Sequence, residues 1–144
     1  MSTRSEALVD ALQDALGAEH AAVYAYGTIG GRLDAKSTPQ RRAAGGYRTH
    51  LARRDQLTAQ IAAAGADPVA AEPVYDMPTT VETSAQAAAV ALQVEDRCAV
   101  FYARVIAAAS GKDRTYALGA LTDCATRSLS WGAVPSALPG VERP

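Results

Sequence analysis

Two glutamates, Glu19 and Glu95, stand in the middle of apolar helical stripes, and a chain that buries them must build a polar layer inside its core. At ~100° per residue, Leu8, Leu12, Leu16, Val23, Tyr26 and Leu33 share one face of a first helical segment, with Glu19 near its centre. In a third segment, Val81, Ala85, Ala88, Leu92, Ala99, Tyr102 and Ile106 form a comparable face that contains Glu95. The second segment carries the opposite sign: Arg54, with His50 beside it, falls with Tyr47, Leu51, Thr58 and Ile61. Buried charges have to be paired, hydrogen-bonded, metal-bound or neutralised. The expected layer is therefore Glu19, Tyr47, His50, Arg54, Glu95 and Tyr102, with the two tyrosine hydroxyls as hydrogen-bonding partners.

The capping signals divide the chain into four helices. Thr3-Arg4-Ser5-Glu6 has the capping-box pattern and opens a helix from about residue 4 to the low thirties. Ser37-Thr38-Pro39-Gln40 starts a second, which runs to Ala64 and stops at Gly65. Thr79-Thr80-Val81-Glu82 opens a third that lasts to about Ser110, where Gly111 ends it. Asp113 can cap a fourth reaching roughly Trp131, and Pro135, Pro139 and Pro144 leave an extended tail. The domain reading is one bundle over 1–134 with a Pro-rich tail over 135–144.

Short links join helices one and two and helices three and four, so each pair is an antiparallel hairpin. The stretch from Ala66 to Pro78 holds Pro68, Pro73 and Pro78 and is long enough to run the length of a bundle. The expected fold is all-α, a ferritin-like four-helix bundle with a long crossover between helices 2 and 3. A plain up-down-up-down bundle is the alternative.

Composition narrows the function classes. The 144 residues are 49% hydrophobic but only 6% aromatic, which suits one domain of closely packed, alanine-rich helices. A net charge of -1 gives no reason to expect nucleic acid as a partner. No apolar run of ~18 residues exists for crossing a membrane. Met1 to Glu6 has no apolar signal core, and Cys98 and Cys124 form neither a Cys-x-x-Cys pair nor a disulfide framework, so the expected setting is cytoplasmic. Helix three has a second apolar line, Val90, Val94, Phe101 and Val105, which needs a cover. That cover is the Tyr75/Met77 crossover, the tail with Trp131, or a second copy in a homodimer.

A carboxylate di-metal site takes one glutamate from each of two helices and Glu-x-x-His from each of the other two. Glu19 and Glu95 match the single glutamates. Helix two offers Tyr47-Arg48-Thr49-His50, with a tyrosine for the acid; helix four offers Asp123-Cys124-Ala125-Thr126, with a threonine for the histidine. Asp123 falls nearly opposite the face of Leu118, Leu121, Ala125 and Leu129 and is expected to face solvent. Three inward ligands remain, Glu19, His50 and Glu95, too few for two irons. An arginine between the carboxylates would take the place of a cation. The primary reading is thus a structural or binding module with a buried Glu-Arg-Glu-His layer, an incomplete di-iron site and no cofactor. A metal-dependent oxidoreductase using one divalent ion (iron, manganese or zinc) on Glu19, His50 and Glu95 is one alternative. A small polar or anionic ligand beside Arg54 is another.

Glu19-His20 followed by Tyr24 and Tyr26, then His50-Leu51-Ala52-Arg53-Arg54-Asp55, Pro73-Val74-Tyr75-Asp76-Met77-Pro78 and Glu95, resembles small actinobacterial ferritin-like-domain proteins of unknown function. The resemblance covers nearly the whole chain through Leu138-Pro139-Gly140. It implies the ferritin-like four-helix fold, a cytoplasmic location and frequent dimerisation, and it implies no established activity.

Overall fold

Each hydrophilic break in the chain becomes a helix cap. The computed structural model describes residues 4–141. Its four helices are α1 (Glu6–Arg32), α2 (Thr38–Ala63), α3 (Ser84–Ala108) and α4 (Gly111–Ser130), with no strand among the described residues. The Ser5 side chain caps α1 by accepting from Leu8 N, while Thr3, the expected cap, lies outside the described residues. Ser37 caps α2 as expected, with Pro39 in the first turn, and Gly65 takes φ +83 just beyond its end.

Two helix starts differ from expectation. The capping box of α3 is Thr83 with Gln86, one turn later than Thr79 with Glu82. The chain ahead of Thr83 is irregular rather than helical, and Val81 drops into the core beside Ile29 and Trp131. Asp113 does not cap α4; the N-cap is Ser110, which makes no side-chain cap bond. Asp113 instead accepts two hydrogen bonds from Arg4, at 3.0 and 2.9 Å, and so ties the start of α4 to the start of α1.

Side-chain contacts fix the helix directions. Arg4 reaches Gln60 O and Tyr26 lies on Gly46, so α1 and α2 are antiparallel. Tyr102 reaches Glu19 and Tyr26 reaches Glu95, so α1 and α3 are antiparallel as well. It follows that α3 runs parallel to α2, as a lengthwise crossover requires. That crossover lies along α1: Gln13 bonds Asp67 O and Val69 N, His20 meets Val69 O, and Tyr24 packs on Tyr75. The result is an all-α four-helix bundle. No helix among the described residues is long and apolar enough to cross a membrane.

The core has two apolar clusters with the polar layer between them. Leu8, Leu12, Leu16, Leu57, Ile61 and Val105 lie in one; Ile29, Ala43, Val81, Val90 and Trp131 lie in the other. Along the line Val90, Val94, Phe101, Val105, the first and last residues are buried and the middle two are half-buried. Val90 clusters with Trp131 and Val105 with Ala117 of α4, so the chain covers its own helix there. Arg97 and Arg104 lie over the Phe101 ring. The described part of the tail also folds back: Gly140, at φ +78, sits where a Cβ would come 2.4 Å from Ala99 O.

Candidate functional site

Halfway along the bundle, α1, α2 and α3 each bury one carboxylate or imidazole, Glu19 on α1, His50 on α2 and Glu95 on α3, all with no exposure to solvent. His50 joins the two acids. Its Nδ1 lies 2.6 Å from Glu19 Oε2 and its Nε2 lies 3.0 Å from Glu95 Oε1. An ionised carboxylate can only accept, so a ring that serves both must donate from both nitrogens, which is the imidazolium form. Burial opposes that charge, but the hydrogen bonds and charges of Glu19 and Glu95 prevail and push His50 up to about 10. Glu95 moves the other way: burial would raise it, but the His50 bond and charge, with help from Tyr26 and Arg127, hold it below its usual value.

Two tyrosines complete the layer, one from each apolar cluster. Tyr102 donates to Glu19 Oε1 and Tyr26 donates to Glu95 Oε1, each at 2.6 Å. Burial first, and then the charge of the neighbouring glutamate, pushes both phenols above their ordinary pKa, so both stay protonated donors. The Tyr26 ring also stacks on His50, with centroids 5.3 Å apart and planes 19° from parallel. Gly46 makes that position available, because a Cβ there would lie 2.6 Å from Tyr26 Cε1. One acceptor, Glu95 Oε2, is buried without a hydrogen-bond partner.

The basic members of the site are not the expected one. Arg54 is about a third exposed (32%) and pairs with its neighbour Asp55 at 2.7 Å. Arg53 and Arg127 line the layer instead, at 11% and 15% exposure. Arg127 Nη1 lies 3.8 Å from Glu95 Oε1, and both arginines bond Asp123 Oδ2 at 2.6 Å. Asp123 is thus a bridge between α2 and α4, only partly facing solvent. Burial works against its charge, but Arg127 and Arg53 hold its carboxyl below the ordinary range. In the layer and its rim, three acids (Glu19, Glu95, Asp123) meet three cations (His50, Arg53, Arg127).

Tyr47 is also outside the layer, 37% exposed and lying on Gly27. Both misplacements on α2 have one cause. The buried face of α2 is Ala43, Gly46, His50, Leu57, Gln60 and Ile61, of which two are too small and one too polar to mark a stripe. The bulkier Tyr47 and Leu51 pull the apparent face toward Arg54, whereas the true centre leaves Arg53 on the side of α4. On α4 the buried residues are Ala117, Ala120, Cys124 and Ser128, while Leu118 and Leu129 are exposed. A three-residue spacing was the available signal: His50-x-x-Arg53 and Cys124-x-x-Arg127 each place two side chains on one inward face.

The sulfurs of both cysteines belong to the same region. Cys124 Sγ accepts from Arg53 Nη1 at 3.4 Å, and Cys98 Sγ lies 3.8 Å from Ala18 O. The neighbouring Cys124 thiol, followed by burial, pushes the Cys98 thiol up. Glu19, His50 and Cys98 each offer one ligand atom, and these three lie within 4.8 Å of one another. Glu95 contacts the opposite ring nitrogen from Glu19.

Residues 11–143 match the domain described as Domain of unknown function (DUF4439). Among solved structures, a conserved hypothetical protein from Mycobacterium tuberculosis is similar to this chain, with a TM-score of 0.81 and 30% sequence identity. The match covers 88% of this chain and 96% of that chain. No curated protein matches the sequence.

Proposed function

The chain belongs to the DUF4439 family, a domain of unknown function, and we propose that it is a ferritin-like bundle protein whose centre is a charge-balanced structural layer. In this reading it acts as a structural or binding module rather than as a di-iron oxidase. The observation that carries it is the contact of His50 with both carboxylates, one on each ring nitrogen. An imidazolium there supplies the positive charge that a metal centre would otherwise provide.

The helix frames support the same reading. In carboxylate di-metal bundles two helices carry Glu and two carry Glu-x-x-His. Here α1 and α3 keep Glu19 and Glu95, while α2 and α4 present His50-x-x-Arg53 and Cys124-x-x-Arg127 in the paired frames. Arginine keeps its proton and cannot ligate a metal, so two ligand positions become fixed cations. The free thiols of Cys98 and Cys124 favour a reducing, cytoplasmic setting.

Two measurements test this. In metal-free protein at pH 8, nitrogen-detected NMR is expected to show both His50 ring nitrogens protonated; a neutral tautomer would remove the charge balance. Ferrous iron and dioxygen are expected to react no faster with the protein than without it. Catalytic iron oxidation that disappears in His50→Gln would overturn the non-enzymatic reading.

A further inference from the structure

Cys98 is buried at 1% exposure against the layer, yet the charge balance among glutamates, histidine and arginines makes no use of its sulfur. We propose that Glu19, His50 and Cys98 form a binding site for one thiophilic divalent cation of the zinc class. Their potential ligand atoms already lie within 4.8 Å of one another. Oxygen, nitrogen and sulfur are the donors that zinc takes in tetrahedral sites, and the thiolate selects against magnesium and calcium.

The surroundings are built as such a site requires. Glu95 holds Nε2 of His50 at 3.0 Å, leaving Nδ1, the nitrogen that faces Glu19, as the coordinating atom. A carboxylate on the far nitrogen fixes the ring and raises its basicity as a ligand. Tyr102 holds the other oxygen of Glu19 at 2.6 Å and so fixes that carboxylate. Glu95 Oε2 is buried with no hydrogen-bond partner and is a free acceptor in the layer. Seating the ion requires the 2.6 Å contact between Glu19 and His50 to open to the roughly 3.3 Å expected between two ligands of a tetrahedral zinc. The exchange balances in charge: one divalent cation enters, and two protons leave, one from the His50 imidazolium and one from the Cys98 thiol. The inference deepens the reading of the same layer, because the ion takes over the part played by the His50 charge.

The test uses the reduced, metal-free full chain brought to equilibrium with Co²⁺. The expected result is one cobalt per chain with thiolate-to-cobalt charge-transfer absorption. Cys98→Ser is expected to abolish that absorption, and Cys124→Ser to retain it. Glu95→Gln is expected to keep the absorption and to weaken affinity by about 10–100-fold. Circular dichroism and melting confirm that each variant is folded. X-ray absorption on the zinc-loaded wild type gives a readout without substitution, with sulfur expected in the zinc shell. Absence of the charge-transfer band in the wild type, its loss in Cys124→Ser with retention in Cys98→Ser, or a zinc shell without sulfur would each overturn the proposal. None of these outcomes bears on the protonation of His50 in metal-free protein, so this site and the structural layer fail separately.

Discussion

Along α1 the buried face carries Leu8, Leu12, Leu16, Tyr26 and Ile29 interleaved with five alanines, and Glu19 stands in their midst. Along α2 it is Ala43, Gly46, His50, Leu57, Gln60 and Ile61, and the bulky Tyr47 stands outside it. Both helices serve the same layer from opposite sides. The difference lies on one side of the layer: α1 carries large apolar residues both before and after its carboxylate, while ahead of its cation α2 buries only Ala43 and Gly46. Close approach matters because His50 has to reach both Glu19 and Glu95, and the Tyr26 ring has to lie over Gly46 to stack on it.

The hardest way to break this arrangement is to remove the cation and leave the acids. His50→Ala strands two buried carboxylates and is expected to cost on the order of 3–5 kcal/mol, read by urea unfolding. If His50→Ala unfolds with a near wild-type midpoint, the two glutamates are not held by charge.

Raising the pH removes the same cation without mutation. His50 has a folded pKa of about 10 against an unfolded value of 6.5. Its stabilisation is therefore complete below the unfolded value and is lost as pH rises through the folded one. Between pH 7 and 9 the unfolding free energy is expected to fall by about 1.4 kcal/mol per pH unit, one proton's worth. Thermal or urea unfolding across that window checks it, and the slope is expected to be absent in His50→Gln.

The contrast between α1 and α2 also explains what was readable in the chain. Glu19, His50 and Glu95 were legible because an ionisable residue inside a stripe of leucine, valine and tyrosine is improbable unless it is buried and paired. The crossover was legible from Pro68, Pro73 and Pro78, and the start of α2 from Ser37 and Pro39. Arg53 and Arg127 were not legible, because much of the buried face beside them is small, Ala43 and Gly46 on α2 and Ala117, Ala120 and Cys124 on α4, and hydrophobicity gives such residues little weight. The rotation from Arg54 to Arg53 is only ~100°, one residue on a helix. The late start of α3 was hidden for another reason: Thr79 with Glu82 and Thr83 with Gln86 are both capping boxes in sequence, and the burial of Val81 decides between them.

The glycines sharpen the comparison within one hairpin. At Gly46 a Cβ would meet the Tyr26 ring at 2.6 and 2.7 Å, and that ring is held by Glu95 and by stacking on His50. Gly46→Ala is expected to destabilise by about 1–3 kcal/mol, the usual result of overpacking. Gly30 on α1 has nothing within 4 Å of the same position, so Gly30→Ala is expected to stabilise by about 0.5–1 kcal/mol through helix propensity. Opposite signs for these two substitutions, read by melting, would place the close contact on α2 where the geometry puts it.

The smallest expected effect belongs to the residue that hydrophobic patterning puts at the centre. Arg54 bonds only its sequence neighbour Asp55 among its side-chain contacts, and it is the more exposed of the two adjacent arginines. Exposed pairs of this kind contribute little, so Arg54→Ala is expected to change stability by no more than about 0.5 kcal/mol. Arg53→Ala is expected to cost more, because it strips the α2 partner from Asp123, uncovers Cys124 and removes a cation from over the Tyr102 ring. Equal effects at the two positions would mean that the layer is insensitive to which side of α2 carries the charge. A larger loss at Arg54 would rotate α2 by one residue and return the arginine to a place between the glutamates.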